Sequence, residues 1–231
     1  MDEKIAIVKK EQKRVAKLVA KQFKNYYLTG GTALAFYFNH RFSEDLDFFT
    51  QQYVSKEPEE IMGFIKDKTR FSFQLDFEQD GPDVLPIKIY YLEIKKGIAL
   101  KIDFVKDSIK NLHKVKNGLH SIEDIYCRKI FAAIGTRKAQ SATGMVMATG
   151  RQAVKDLFDI YYLSTKYFPI SKFFFKHFPM NEAARLDVWY RGFNRTEAKL
   201  ELVDTIPQVD PGKVFAYLDR EIFEKMPDKI I

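Results

Sequence analysis

Hydrophobic positions in the first 106 residues follow two periods, one helical and one typical of strands. Apolar side chains at helical spacing lie among lysines in residues 4–24, which predicts an amphipathic helix. Later segments alternate apolar and polar residues at a period of two, which predicts strands. The same criteria predict further helices at 32–40 and 57–69, and strands at 26–29, 46–50, 70–79, 86–94 and 97–105.

After residue 106 the pattern becomes mostly helical. Residues 120–134 and 153–168 have helical periodicity, and the first of these begins with a Ser-x-x-Asp capping pattern from Ser121 to Asp124. Residues 138–152 are rich in small side chains and predict a loop.

The pattern as a whole predicts an α+β protein. Residues 1–118 should form a mixed sheet flanked by helices, and residues 119–231 a mostly helical region. The two regions can belong to one continuous domain. Residues 169–231 mix helix and loop signals and contain little that is diagnostic of function.

Composition and charge narrow the class of protein without defining its function. Of 231 residues 46% are hydrophobic, and 38 basic residues against 31 acidic ones give a net charge of +7. That surplus is compatible with a polyanionic partner such as nucleic acid or nucleotide phosphate, and equally with an ordinary basic protein. No apolar run approaches membrane-spanning length, no signal-peptide core is present, and Cys127 is the only cysteine. We therefore predict a cytoplasmic protein with no membrane partner, no disulfide and no cysteine-based zinc site.

Two aspartates interrupt a predicted buried strand in the segment SEDLDFF. Residues two apart in a strand point to the same face with Cα atoms roughly 6.5 Å apart, so Asp45 and Asp47 should present both carboxylates to one side. Like charges this close repel each other unless a cation lies between them. Asp103 in LKIDFV is a third acid among apolar strand residues. Three such carboxylates could hold Mg²⁺ or Mn²⁺ ions for phosphoryl or nucleotidyl transfer.

Asp76 competes with Asp103 as the third acid. It lies near the turn signal QDGPD among further acids, as expected of a solvated edge strand. In the 97–105 strand, by contrast, one face is uniformly apolar, which leaves Asp103 on the face where a substrate could lie.

A glycine pair precedes these acids by one short predicted helix. Gly30 and Gly31 lack Cβ atoms, so backbone amides can approach a phosphate closely at the start of a helix with its positive dipole. Thr32 could add a hydroxyl donor. Each feature alone fits an ordinary turn or strand end, but the combination with the aspartates favours a phosphate-handling site.

The segment LTGGTALAFYFNHRFSEDLDFF resembles the signature of the AbiEii/AbiGii-type toxin nucleotidyltransferases, a branch of the DNA polymerase beta-like nucleotidyltransferase superfamily. The family's R-x-S-x-D-L-D stretch is matched by Arg41, Ser43, Asp45, Leu46 and Asp47. The resemblance covers residues 25 to about 165 and implies a polymerase beta-like fold.

Two downstream helices extend the resemblance. The family's helix lysine after an acidic lead is matched by Lys129 in SIEDIYCRKIFAAI. Its R-D-x-x-D-L helix is matched by VKDLFDIYYL with Asp156 and Asp159, where Lys155 replaces the arginine.

The resemblance implies a role for most of the matched residues. Asp45 and Asp47 would be metal ligands, with Asp103 as the third ligand and as general base for the acceptor hydroxyl. The residues implied to bind the nucleotide are Gly30, Gly31, Thr32, Ser43 and Lys129. Asp156 would lie in the same cleft, so that both regions of the chain share one bound triphosphate.

Other candidates are weaker. The basic residues that flank the predicted loop could contact triphosphate or an RNA backbone, or form a solvated edge; they are Arg137, Lys138 and Arg151. The histidines show no metal-ligand spacing, and only His40, beside the motif, is placed where it could touch a substrate.

We predict a metal-dependent nucleotidyltransferase that moves a nucleoside monophosphate from an NTP to a hydroxyl acceptor. The resemblance implies a toxin of a bacterial toxin–antitoxin or phage-defence system, with RNA or tRNA as the expected acceptor and a cognate antitoxin protein as an expected partner. The alternative is a catalytically silent nucleotide- or RNA-binding module of the same fold. Metal-dependent turnover separates the two, and the presence of both motif aspartates favours catalysis.

Overall fold

The computed structural model of the chain describes residues 2–135, 139–140, 146–147, 150–206 and 208–226. The helices are α1 (Asp2–Gln22), α2 (Gly30–Phe38), α3 (Glu57–Thr69), α4 (Ile122–Ile134), α5 (Val154–Lys166), α6 (Ile170–His177), α7 (Ala183–Arg191), α8 (Arg195–Thr205) and α9 (Pro211–Asp219). The strands are β1 (Tyr27–Thr29), β2 (Leu46–Thr50), β3 (Ser72–Gln79), β4 (Ile87–Lys95), β5 (Ile98–Lys106), β6 (Ala139–Gln140) and β7 (Val146–Met147). Arg137, Lys138 and part of the predicted 138–152 loop lie outside the described residues.

The chain divides into two compact units, Met1–Ile125 and Tyr126–Ile231. The division falls inside helix α4, whereas the region boundary predicted from the sequence lies after residue 118. The boundary drawn from the sequence stays a prediction.

The first unit is built on a five-stranded sheet with the order β1-β2-β5-β4-β3. Strands β2 and β5 run parallel, and the other neighbouring pairs are antiparallel. Helices α1, α2 and α3 contact this sheet. The predicted mixed sheet flanked by helices is therefore confirmed, with β2 and β5 as adjacent central strands.

One face of the sheet forms the core of the first unit. The alternation in β5 sends Leu100, Ile102 and Phe104 to this face, where each is fully buried. Phe104 stacks on Phe48 of β2 with ring centroids 5.7 Å apart. Helix α1 buries Val8, Val15 and Val19, and helix α3 buries Ile61, Met62 and Ile65. The opposite face of the same strands carries the polar side chains of the candidate site.

Helix α3 shows why the predicted boundaries match the structure closely. Pro58 lies in its first turn among acidic residues, and lysines occupy its last turn, an arrangement that complements the helix dipole. Arg70 ends the helix in the left-handed conformation with φ of 67°.

Strand β3 lies at the edge of the sheet, as its polarity predicts. Asp76 lies at a bulge between the paired residues Leu75 and Phe77, and its side chain is exposed. Strands β5 and β4 separate Asp76 from Asp47, whereas Asp103 lies on the strand next to Asp47.

The second unit is mostly helical, as predicted. Its core is aromatic: Tyr126 stacks on Phe173 at 4.0 Å, and Trp189 and Phe174 are fully buried. Within the predicted 138–152 loop, β6 and β7 form a two-residue antiparallel pairing that the small-residue composition did not indicate. Among the residues that the structure describes, no helix combines the length and the hydrophobicity needed to cross a membrane.

Candidate active site

The glycine pair is the point on which the signature residues converge. Gly30 has φ of +68°, a conformation that favours glycine, and a Cβ atom there would collide with the carboxylate of Asp47. A Cβ on Gly31 would lie 2.7 Å from Arg41 Nη2 and 2.8 Å from Ser43 Oγ. The R-x-S-x-D-L-D motif therefore packs its polar side chains directly onto the two Cα atoms, which explains why both positions lack side chains.

The segment that leads to Asp45 is held by hydrogen bonds from two buried side chains. The hydroxyl of Thr32 donates to the carbonyl of Asp45. The amide Nε2 of Gln12, on α1, donates to the carbonyls of Ser43 and Glu44 at 2.9 and 3.0 Å. These bonds fix the backbone, and hence the direction of Asp45, before β2 begins at Leu46. Asp45 thus precedes the strand in which it was predicted to lie.

Two of the three predicted acids are direct neighbours across the sheet. In the parallel pairing of β2 with β5, Asp47 is opposite Asp103, and on its other side Asp47 is opposite Thr29 of β1. Residues opposite each other share a face, so the carboxylates of Asp47 and Asp103 lie on the same side. Asp103 is buried and Asp47 half-buried. The fold thus brings Asp103 beside Asp47, with Asp45 directly before β2, while the grouping of all three acids in one site and their roles stay predictions.

Lys101 is the cation of this acidic cluster. Its Nζ lies 2.7 Å from Asp103 Oδ2. Burial by itself would lower the pKa of Lys101, but the hydrogen bond to Asp103 and the charges of Asp103, Asp45 and Asp47 outweigh it, and the pKa is raised. The positive charge of Lys101 therefore lies within electrostatic reach of all three acids.

The donor set suits a hard divalent cation. Within the described residues no group of three or more histidine, cysteine, aspartate or glutamate side chains is already gathered in a metal-ligating arrangement. The three carboxylates nevertheless offer only oxygen atoms, the ligands that Mg²⁺ and Mn²⁺ prefer. Because Gly30 has no Cβ atom, the Asp47 carboxylate can occupy the space beside it. The residues thus fit the metal that the sequence predicts.

In the second unit, the predicted residues Lys129 and Asp156 form a buried ion pair. Lys129 Nζ lies 2.6 Å from Asp156 Oδ1 and 2.7 Å from Asp159 Oδ2, and all three side chains are buried. The guanidinium of Arg151 contacts Asp156 Oδ2 at 2.7 Å from both Nε and Nη2. Arg151, whose side chain is exposed, therefore supplies the guanidinium contact, while Lys155 at the family's arginine position is exposed.

Sequence reasoning missed several residues of these clusters. Lys101 carries a readable signal, because it lies two residues before Asp103 and so on the same strand face. Gln12 has none, since its partners are 31 and 32 residues away along the chain. That Lys129, Asp156 and the first-unit residues meet on one triphosphate stays a prediction.

The sheet brings Asp103 beside Asp47 and next to the glycine turn, which is compatible with the nucleotidyltransferase that the sequence resemblance implies. The profile of the family described as "Nucleotidyl transferase AbiEii toxin, Type IV TA system" matches residues 16–210, and the chain belongs to that family. The resemblance seen in the sequence and the assignment to an enzyme class are thereby confirmed.

Solved structures agree on the fold. The chain is similar to the Helicobacter pylori protein JHP933, with a TM-score of 0.56 and 18% identity over 92% of this chain and 88% of that one. It is also similar to a structure described as a proposed nucleotidyltransferase from H. pylori, with a TM-score of 0.56 and 18% identity over 93% and 91% of the two chains. No curated protein sequence matches the chain.

Proposed function

We propose that this protein transfers a nucleoside monophosphate from an NTP to a hydroxyl group of an RNA acceptor, with Mg²⁺ or Mn²⁺ held by Asp45, Asp47 and Asp103. The observation that carries the proposal is the pairing of Asp47 with Asp103 on adjacent parallel strands, beside a glycine turn against which Asp47 is packed. Carboxylates placed side by side next to a helix N-terminus suit a metal-bound triphosphate.

The chemistry is an in-line displacement at the α-phosphorus. The acceptor oxygen forms a bond to the α-phosphorus, and the bond from that phosphorus to the oxygen bridging to the β-phosphate breaks, releasing pyrophosphate. Asp103 accepts the hydroxyl proton. The metal, when bound, neutralises the triphosphate and stabilises the leaving pyrophosphate.

The glycine turn and the motif loop orient the nucleotide in this proposal. Gly30 and Gly31 offer backbone N–H groups at the start of α2, and Ser43 offers a hydroxyl beside them. In this proposal Thr32 holds the loop, because its hydroxyl donates to the carbonyl of Asp45, and its contact with the nucleotide stays a prediction.

Lys129 and Asp156 have a separate place in the proposal. Lys129 is committed to two buried carboxylates, so we assign it, with Asp156, to supporting the nucleotide site rather than to a free phosphate-binding side chain. Membership of a type IV toxin–antitoxin family and a net charge of +7 support RNA or tRNA as acceptor and an antitoxin as partner.

The test is label transfer. The protein is incubated with each α-³²P-labelled NTP, total RNA and Mg²⁺ or Mn²⁺, and label is followed onto RNA. Wild type should transfer label only with metal, and Asp45→Asn and Asp47→Asn should abolish transfer while the thermal unfolding midpoint stays equal or rises, because a like-charge repulsion is removed. Asp103→Asn should slow the chemical step by roughly a hundredfold or more with NTP binding largely kept.

The matched control is Asp76→Asn, the same change at the exposed bulge of β3, which should leave transfer unchanged. Transfer that continues at the wild-type rate in Asp47→Asn, or in excess EDTA, would contradict the proposal.

A further inference from the structure

Lys101 is a positively charged residue beside the three acids, and the proposed transfer gives it no role. Its ammonium is 2.7 Å from Asp103, and the two side chains are only 27% and 12% exposed. Asp47 pairs with Asp103 across the two strands, and Asp45, directly before β2, is close enough for its charge to act on Lys101. Lys101 therefore lies among the three carboxylates, in direct contact with Asp103 and within electrostatic reach of Asp45 and Asp47.

We propose that Lys101 is an internal counter-ion that neutralises the carboxylates in the metal-free enzyme and competes with the divalent cation for Asp103. The inference rests on the proposed function, because it concerns the same three carboxylates, and it assigns Lys101 a positioning role rather than a contact with the reacting atoms.

The physical reason is the balance of charge. The three neighbouring carboxylates repel one another, and the ammonium group of Lys101 offsets part of that repulsion in the absence of metal. The same ammonium repels an arriving dication and holds one of its ligands. A lysine has a compact charge on a flexible stem, so Lys101 can leave Asp103 and turn towards solvent when the dication arrives.

A consequence follows for the order of binding. The nucleotide-free protein should bind Mn²⁺ weakly, because the cation must displace Lys101 from Asp103 without the negative charge of a triphosphate. A triphosphate brings its own negative charge, so metal and nucleotide should bind together. Without the charge of Lys101, metal binding should become less dependent on the nucleotide.

In the experiment, the Mn²⁺ affinity of the nucleotide-free protein is measured from the electron paramagnetic resonance signal of free Mn²⁺. The proteins compared are wild type, Lys101→Met, Lys101→Gln and Lys101→Arg. The two neutral variants should bind Mn²⁺ about tenfold more tightly than wild type. Their thermal unfolding midpoint without metal should fall and be restored by Mn²⁺. Lys101→Arg, which keeps the charge, should bind Mn²⁺ like wild type.

The matched control is Lys88→Met. Lys88 is also a buried lysine in an ion pair, with Glu78 at 2.8 Å on the neighbouring strand, but its ladder partner is Phe104, so it lies on the opposite face. The Lys88→Met substitution should leave the Mn²⁺ affinity unchanged. A purely structural Lys101 would lower the unfolding midpoint equally with and without Mn²⁺, and that result would overturn the inference.

Two failures can be told apart. If Mn²⁺ binding survives Asp47→Asn unchanged, the metal centre of the proposed function is wrong and the inference falls with it. If binding depends on Asp47 but is equal or weaker in both neutral variants of Lys101, only the inference is wrong. Tighter binding in one neutral variant suffices to support it, should the other fail to fold.

Discussion

At the scale of single residues, the glycine turn decides the geometry of the site. Gly30 adopts φ of +68° and faces Asp47, so it is constrained both by its backbone and by its neighbour. Gly63 is also a helical glycine, but a Cβ there would meet no atom within 4 Å. A substitution at Gly30 therefore tests the requirement of the site for glycine, whereas the same substitution at Gly63 tests helix propensity alone.

Gly30→Ala should reduce transfer by at least about a hundredfold, because misplacing one reacting group by about 1 Å has an effect of that size. The left-handed conformation should by itself lower the free energy of unfolding by about 1–2 kcal/mol. Gly63→Ala should keep full transfer and raise that free energy by about 0.5–1 kcal/mol. Initial rates and urea denaturation measure both. Normal transfer in Gly30→Ala would show that the turn has no part in the site.

Some of these residue-scale facts were readable from the sequence and some were not. Asp47 and Asp103 could be grouped because each is an acid that interrupts the apolar residues of a predicted strand. The hydrogen bonds of Gln12 and Thr32 to the backbone before Asp45 could not, because they depend on tertiary placement of α1 and α2 and leave no local periodicity.

At the scale of elements, the periodicity of β2 and β5 predicted strands, and their adjacency gave the site its shape. The pairing itself rests on a parallel register between residues far apart in sequence, which single-strand patterns do not encode. The resemblance to a known family, rather than either strand pattern, implied that Asp103 would join Asp45 and Asp47 in one site.

The start of α4 departs from the expected capping box. Ser121 Oγ accepts from the Asp124 N–H, as predicted, but the Asp124 carboxylate accepts from the N–H groups of Leu112 and His113 at 2.7 and 3.2 Å. Asp124 is fully buried. Its carboxylate also accepts from Ser121 Oγ at 2.7 Å, so Asp124 both closes on the cap residue and ties the loop before α4 to the helix.

This arrangement predicts a pH-dependent stability. Burial would raise the pKa of Asp124, but hydrogen bonds from Leu112 and Ser121 and the charge of His120 outweigh it, and the pKa is lowered. The carboxylate therefore contributes stability above the ordinary aspartate pKa of 3.8, which is lost as the pH falls through the lowered folded value.

Asp124→Asn should lower the free energy of unfolding at pH 7 by about 1–3 kcal/mol. The difference from wild type should shrink below pH 3.8. Urea denaturation across that range measures it, with the exposed Asp76→Asn as control. A deficit of the same size at every pH would show that charge is irrelevant to the role of Asp124.

At the scale of the whole molecule, the family defines a nucleotidyltransferase whose candidate residues fall in both compact units. The first unit contains the acids and the glycine turn, and the second contains the buried Lys129–Asp156–Asp159 cluster. The sequence pattern predicted the helical character of the second unit. It could not predict that Lys129 would be enclosed by two aspartates, because a lysine on an amphipathic helix is usually solvated.

The central claim is that Asp45, Asp47 and Asp103 form a metal and nucleotide centre. The most direct measurement is the anomalous diffraction of Mn²⁺ in crystals grown with a non-hydrolysable NTP analogue. The account predicts an anomalous peak in contact with the carboxylates of Asp45 and Asp47 and with the triphosphate, which should lie against Gly30 and Gly31. Nucleotide and Mn²⁺ bound elsewhere, with no metal at Asp45 and Asp47, would contradict it.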